Sequence, residues 1–404
     1  MKKITGVILG ATFLLGALGN KLQENTTITA TETLQIQEEC ISVGAKETGL
    51  STQAKSAYLM EFGTQTPIYA NKETERLPIA SMCKIMTLLL SFEAVEEGNI
   101  SMEEEICVSE NASSMGGSQV FLEANARYPV RELIKSIVVC SANDSCVAMA
   151  ERIAGSESVF VDRMNEKAKE IGAENTLFAN CTGLPKQPQY SCAKDVAVML
   201  KHLLKYEQYY EFGKVWMDKF SHPKGRYTEI TNTNKLVRFY DGCDGGKTGF
   251  TNEAGFCLAA TAKRDNMRII SVVIGEKSSA NRFDDVRTMF DYAFANYKMQ
   301  MVAEAEVNLS EKASVKGGKE KSVFVYPATT AYAFSERREK EQITTQVLLN
   351  TLKAPVKQGE MAGELLVFKN GVEVNRVPLL TASAVKKANL LDSFKDIAKN
   401  WNLR

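Results

Sequence analysis

Cys243-Asp244-Gly245-Gly246-Lys247-Thr248-Gly249-Phe250-Thr251 is followed by two apolar runs, Phe256 to Lys263 and Met267 to Ile274, joined by Arg264-Asp265-Asn266. Two such runs about a short polar turn predict an antiparallel hairpin. The Lys-Thr-Gly ahead of it predicts an exposed strand edge, where Gly249 lets another group approach the backbone closely. A helix from Arg282 to Tyr297 is predicted to close this unit. Upstream, Ser56 to Glu61 and Pro67 to Ala70 resemble short strands about a turn at Gly63. Between these two β regions the pattern is helical. Pro78 opens a helix that runs from Ser81 to Glu97 and stops at Gly98; Pro129 opens another over Val130 to Val139. A third runs from Asp144 to Ala154 and ends at Gly155, with further helices from about Ser158 to Ile171 and Ala193 to Lys205. Strands, helical insert, strands, helix is the order of an α+β fold, an antiparallel sheet with helices on its faces.

From about Val302 the character changes. Val323 to Tyr326, Gln346 to Leu349, Leu365 to Phe368 and Val372 to Val377 are short strand candidates, and Asn370-Gly371 is a strong hairpin turn. A small β-rich domain is expected over 301–383. Beyond it, Leu390, Leu391, Phe394, Ile397, Ala398 and Trp401 fall on one helical face, while lysines and Arg404 outnumber Asp392 and Asp396 on the rest. That pattern predicts an amphipathic helix over 384–404 lying on a membrane surface. At the other end, Lys2 and Lys3 precede the uncharged run Ile4 to Gly19, and Ala17-Leu18-Gly19 supplies small residues for cleavage. Residues 1–19 therefore read as an export signal and 20–46, polar and Thr-rich, as a linker.

The chain has 404 residues, with 49 basic and 49 acidic side chains, so no overall field favours nucleic acid. It has no Walker loop, no G-x-G-x-x-G string and no C-x-x-C. Only two histidines occur, His202 and His222. Zinc-type ligand spacing is absent, and no metal or cofactor is expected. The nine cysteines are an odd number, which argues against a fully paired disulfide framework in an exported chain. They are expected as small buried thiols.

Three short strings remain: Ser81-Met82-Cys83-Lys84, Ser141-Ala142-Asn143 and Lys247-Thr248-Gly249. Each alone is common. A serine hydroxyl becomes a useful nucleophile only when a base takes its proton. Neither histidine lies in a motif and no G-x-S-x-G elbow is present, so a Ser-His-Asp triad is not expected. Lysine can serve if burial and a second cation disfavour its charged form. Lys84 lies one turn from Ser81, and Lys247 could supply the second cation. Ser141 could relay a proton, and Asn143 could orient Lys84 and the substrate amide. Lys247 and Thr248 offer donors to a carboxylate. The amides of Ser81 and Phe250 are the natural pair for an oxyanion.

With these strings in place, the chain resembles the D-alanyl-D-alanine carboxypeptidases, the low-molecular-mass penicillin-binding proteins. Leu77 to Thr87, Met115-Gly116-Gly117-Ser118-Gln119, Asn180-Cys181-Thr182-Gly183-Leu184, Asn232-Thr233-Asn234-Lys235-Leu236 and Asp244 to Gly249 carry the resemblance. It is strong over about 50–300. The resemblance implies a β-lactamase/transpeptidase-like catalytic domain over 47–300 and an extracytoplasmic place at the membrane or wall. It further implies removal of the last D-alanine from peptidoglycan pentapeptide stems, and acylation by β-lactams. It makes Ser81 the nucleophile, Lys84 the base, Ser141 and Asn143 members of the proton network, and Lys247, Thr248, Gly249 and Phe250 the substrate edge. Cys83 stands where the family more often has threonine, and Phe250 where histidine or tyrosine is common. Three rival readings are a β-lactamase, a crosslink endopeptidase and a silent wall-binding scaffold. No Glu-x-x-Leu-Asn string is present for the first, and intact site residues count against the last.

Overall fold

A computed structural model describes residues 49–389 and Asp392. The expected signal and linker lie outside the described residues. Five strands form one antiparallel sheet: β1 (Ser56–Glu61), β2 (Pro67–Asn71), β3 (Cys243–Thr251), β4 (Gly255–Arg264) and β5 (Met267–Glu276), in the order β2-β1-β5-β4-β3. β3, which carries Lys-Thr-Gly, is an edge strand. The sheet is apolar on both faces. Tyr58, Met60, Ala259, Ile270, Val272 and Ile274 pack beneath a helical lobe. Ala57, Leu59, Leu258, Ala260, Ala262, Ile269 and Val273 alternate with them and pack against α6 (Ser279–Asn296).

The lobe contains α1 (Lys84–Glu96), α2 (Val130–Cys140), α3 (Asn143–Ala154), α4 (Glu157–Glu170) and α5 (Ala193–Leu203). Every residue of α1 from Lys84 to Phe92 is buried, so this helix is the axis of the lobe rather than a surface helix with one apolar stripe. The expected helix from Ser81 is corrected at its start. Ala80–Cys83 form a 3-10 turn, and the α-helix begins at Lys84. Ala80 takes a left-handed φ of 47°, and Met82 N donates to Ile79 O at 3.1 Å, which tightens the turn. A hairpin of Met217–Ser221 with Tyr227–Thr231 was not expected. Only Phe220 and Ile230 of its ten residues are buried, too few to show an apolar alternation.

After α6 the chain enters a six-stranded sheet ordered Ile343–Leu349, Met361–Lys369, Val372–Thr381, Ser322–Pro327, Lys312–Lys316, Leu352–Lys353. The turn at Asn370-Gly371 joins two of these strands, as the sequence predicts. A further ladder, Tyr297–Ala303 with Ala331–Glu336, ties this region to the main sheet's outer face. There Phe334 stacks on Tyr297 at 4.9 Å, and both rings belong to the core under α6. The stretch expected as a terminal helix does not begin as one. Val385 bridges to Val356 and Lys387 to Gly318, extended against the β sheet. Asn389 and Asp392 then exchange backbone-to-side-chain bonds at 3.1 and 2.8 Å, the reciprocal pattern of a helix cap. Apart from Asp392, residues from 390 onward lie outside the described ones. Among the described residues no helix is long and apolar enough to cross a membrane.

Candidate active site

The site forms where the 3-10 turn, the α2–α3 corner and the edge strand β3 meet. Lys84 Nζ donates to Ser81 Oγ at 3.0 Å. The same ammonium or amine nitrogen donates to the carbonyl of Thr182. Lys84 is fully buried, and Lys247 is 1% exposed. Lys247 Nζ donates to the carbonyl of Thr248 at 3.0 Å. Burial first, and then the charge of Lys84, hold the Lys247 amine well below the usual lysine range.

Ser141 caps α2 in the left-handed region, φ 66° and ψ 34°, which makes a sharp corner before α3 opens at Asn143. A non-glycine residue in this conformation is uncommon and collects at functional sites. Its hydroxyl oxygen is buried with no hydrogen-bond partner, as is Asn143 Oδ1. Asn143 Nδ2 donates to Gly116 O and its backbone N–H to Ser118 O, each at 2.7 Å. Asn143 was expected to orient Lys84; the orienting bond of Lys84 is the one it donates to the Thr182 carbonyl. The next residue, Asp144, is fully buried and accepts from the N–H groups of Val120 and Leu122. The Met115 to Gln119 stretch is thereby held on the Ser-Ala-Asn corner.

β3 presses on the serine turn. A Cβ placed on Gly249 would lie 2.7 Å from Ile79 O and 3.2 Å from Ser81 N. Thr248 is buried; Phe250 is 51% exposed, with its ring against Phe256 at 4.3 Å. Arg282, on α6, donates to the carbonyls of Gly249 and Cys257 at 3.2 and 3.4 Å, from behind the strand. Asn234 Nδ2 donates to Gly245 O at 3.1 Å and fixes the strand's start. Thr182, Asp144 and Arg282 carry these contacts, and motif reading assigned them no role. The Asn180 to Leu184 and Asn232 to Leu236 stretches gave the only sequence signal for two of the contacts. His202 and His222 belong to other parts of the molecule; His222 bonds Tyr128, Arg226 and Thr228.

Eight cysteines among the described residues are free thiols, most of them buried. Burial pushes the Cys146 and Cys140 thiols up to about 12. Cys83 faces away from the serine, donating to Asn180 O at 3.3 Å.

A serine bonded to a buried lysine, with a second buried lysine on an adjoining sheet edge, defines a serine-type hydrolase that does not use histidine. The model of the D-alanyl-D-alanine carboxypeptidase family matches residues 42–278, and the model of the penicillin-binding protein 5 C-terminal domain matches 297–387. A D-alanyl-D-alanine carboxypeptidase of Bacillus subtilis, DacF, is 39% identical over 363 residues, covering 89% of this chain and 92% of the relative. Among solved structures, penicillin-binding protein 3 of Streptococcus pneumoniae superposes with a TM-score of 0.73 at 26% identity, covering 83% of this chain and 100% of that one. Penicillin-binding protein 5 of Haemophilus influenzae gives 0.68 at 27% identity, covering 83% and 98%. The chain belongs to the D-alanyl-D-alanine carboxypeptidase family, with the serine-type enzyme activity that family carries.

Proposed function

We propose that this chain removes the terminal D-alanine from peptidoglycan pentapeptide stems through an acyl-enzyme on Ser81. The single observation that carries the residue assignment is the 3.0 Å contact between a buried Lys84 amine and the Ser81 hydroxyl. In the first half-reaction Lys84, as the free amine, takes the Ser81 proton while Oγ bonds the carbonyl carbon of the penultimate D-alanine. The C–N bond to the last residue breaks, and its nitrogen leaves as an amine with a proton returned through the Lys84, Ser141 and Lys247 groups. Water then cleaves the ester by the same steps in reverse order.

Each neighbour has a task in this scheme. The Ser141 hydroxyl and Asn143 Oδ1, buried without protein partners, receive a proton and a substrate amide respectively. Lys247, with Thr248, holds the terminal carboxylate. The Ser81 and Phe250 amides take the oxyanion. The stem peptide lies along β3 as an added antiparallel strand, since that edge is unpaired in the sheet. A β-lactam enters as the peptide does; its opened ring stays attached to Ser81. Residues 47–300 form the catalytic domain and 301–383 the β domain, to which Val385 and Lys387 still bridge, and the segment that follows Asn389 binds the membrane surface. The enzyme works on the extracytoplasmic side of the membrane.

Two measurements test this reading. Incubating the protein with a stem pentapeptide and weighing the products should give tetrapeptide and free D-alanine; cleavage of a crosslinked dimer with the monomeric pentapeptide left intact would favour an endopeptidase. Fluorescent penicillin should label the parent and leave Ser81→Ala unlabelled, and full labelling of that variant would reject the nucleophile.

A further inference from the structure

The turn Asn180-Cys181-Thr182-Gly183-Leu184 carries no reacting group, yet three successive carbonyls in it accept bonds from the serine turn and α1. Cys83 Sγ donates to Asn180 O, Thr87 Oγ1 to Cys181 O at 2.6 Å, and Lys84 Nζ to Thr182 O. The turn is shaped by one side chain. Asn180 Oδ1 accepts from Gly183 N at 2.7 Å, Thr182 N at 3.1 Å and Thr182 Oγ1 at 3.2 Å, while its Nδ2 donates to Leu184 O at 2.8 Å. The amide thus accepts three bonds and donates one inside five residues, and Asn180 is 7% exposed. Gly183, at φ 79°, completes the fit. A Cβ there would stand 2.1 Å from Ala80 O, so only glycine lets the turn seat against the serine turn.

The chemistry gives this arrangement a purpose. A neutral lysine amine has two N–H bonds and one lone pair. If a fixed carbonyl takes one N–H, rotation about the last C–N bond is set, and the lone pair can be held toward Ser81 Oγ. We infer that Asn180 is a positioning residue for the reaction: its side chain folds the 180–184 turn so that the Thr182 carbonyl directs the Lys84 amine onto Ser81. This rests on Lys84 being the base, as proposed above. No other residue type makes the same set of bonds. Aspartate keeps the acceptor oxygen for Thr182 and Gly183 but loses the donor to Leu184, and alanine loses all of them.

The test is the single-turnover acylation rate with fluorescent penicillin across pH, normalised to the final labelled amount so that misfolded protein does not count. Asn180→Ala should acylate roughly 10²-fold more slowly, the cost of a misplaced catalytic group. Its acidic limb should also move, because the Lys84 nitrogen loses the contact that orients it. Asn180→Asp should recover most of the maximal rate, with its limb displaced from the parent's by the added carboxylate. Lys247, Cys83 and Cys146, the groups on which the Lys84 charge acts, are unchanged in both variants. A merely structural role would lower the labelled amount and leave the normalised rate and the limb in place. Asn180→Ala within about threefold of the parent with an unmoved limb would overturn the inference. If that variant does not fold, an unmoved limb in Asn180→Asp overturns it. Lys84→Ala is run alongside. Parental acylation by Lys84→Ala would reject the base itself, whereas a silent Lys84→Ala beside a parental Asn180→Ala rejects only the positioning.

Discussion

Gly249 and Ser81 approach so closely that a single added carbon would intrude: a Cβ on the glycine would lie 3.2 Å from the serine amide nitrogen and 2.7 Å from Ile79 O. The Lys-Thr-Gly strand is therefore packed directly on the nucleophile's backbone. Its glycine is required by closeness rather than by backbone angle, since its φ lies outside the left-handed region.

Gly249→Ala is expected to fold with some loss of stability, because the clash is with a backbone carbonyl and the edge strand must shift outward to relieve it. That shift moves Phe250 away from Ser81 and separates the two amides proposed for the oxyanion. Loss of one such donor costs roughly 10²–10³-fold in rate. Penicillin acylation and thermal melting on the same sample check this. An unchanged acylation rate with an unchanged melt would show that the strand's position is not coupled to the serine.

The sheet was legible because its strands are apolar on both faces and separated by short polar turns, and because β3 carries a motif. The site was legible where a side chain does the work. Ser81 and Lys84 meet at hydrogen-bond distance, and Lys247 lies close enough for the Lys84 charge to act on it. What stayed hidden works through the backbone. Thr182 contributes a carbonyl, which every residue has. Arg282 supports β3 by donating to two carbonyls far from it in sequence. The 3-10 start at Ala80 was hidden for a related reason: tertiary contact with Gly183 and Gly249, not local propensity, decides it.

Lys247→Met should exchange activity for stability. Burial and the neighbouring Lys84 both disfavour the Lys247 cation, so at neutral pH the fold bears a cost that the unfolded chain does not. Methionine fills a similar volume without charge. Removing that cost should leave the variant at least as stable as the parent. The advantage should grow as pH falls below 10.5, where the unfolded lysine takes up its proton and the native one does not. Acylation should fall by at least ~10². Denaturant melts at pH 7 and pH 10 check the first part; a variant markedly less stable than the parent at both would contradict the account.

The buried thiols should be inert while the protein is folded. Cys83, Cys146, Cys181 and Cys257 are fully enclosed, and burial pushes each thiol up, away from the reactive thiolate. Among the described residues Cys107 is the exposed cysteine. Iodoacetamide on the native protein should therefore modify Cys107 and leave penicillin acylation intact. Peptide mapping that found Cys83 or Cys146 alkylated before unfolding would show that the site opens.

Glu276→Gln should flatten the pH dependence of stability on the alkaline side. Glu276 ends β5, is 1% exposed, and its carboxyl faces Asp285, Asn281 and the Lys277 backbone. Burial first, and Asp285 on α6 next, push its carboxyl up to about 8. The sign follows from proton binding. Between the ordinary carboxylate range and about 8 the native state keeps a proton that the unfolded chain has already released. Native stability from this group is therefore full at low pH and is lost as pH rises through that window. Protonation of His222, which burial and Arg226 disfavour, acts in the opposite sense at the acidic end, and is common to both proteins. The difference between parent and Glu276→Gln isolates the carboxyl. Melting temperatures measured in steps from pH 5 to pH 8.5 should show the variant drawing level with, then overtaking, the parent as pH increases. A constant offset between the two curves would mean that Glu276 titrates as an ordinary carboxylate.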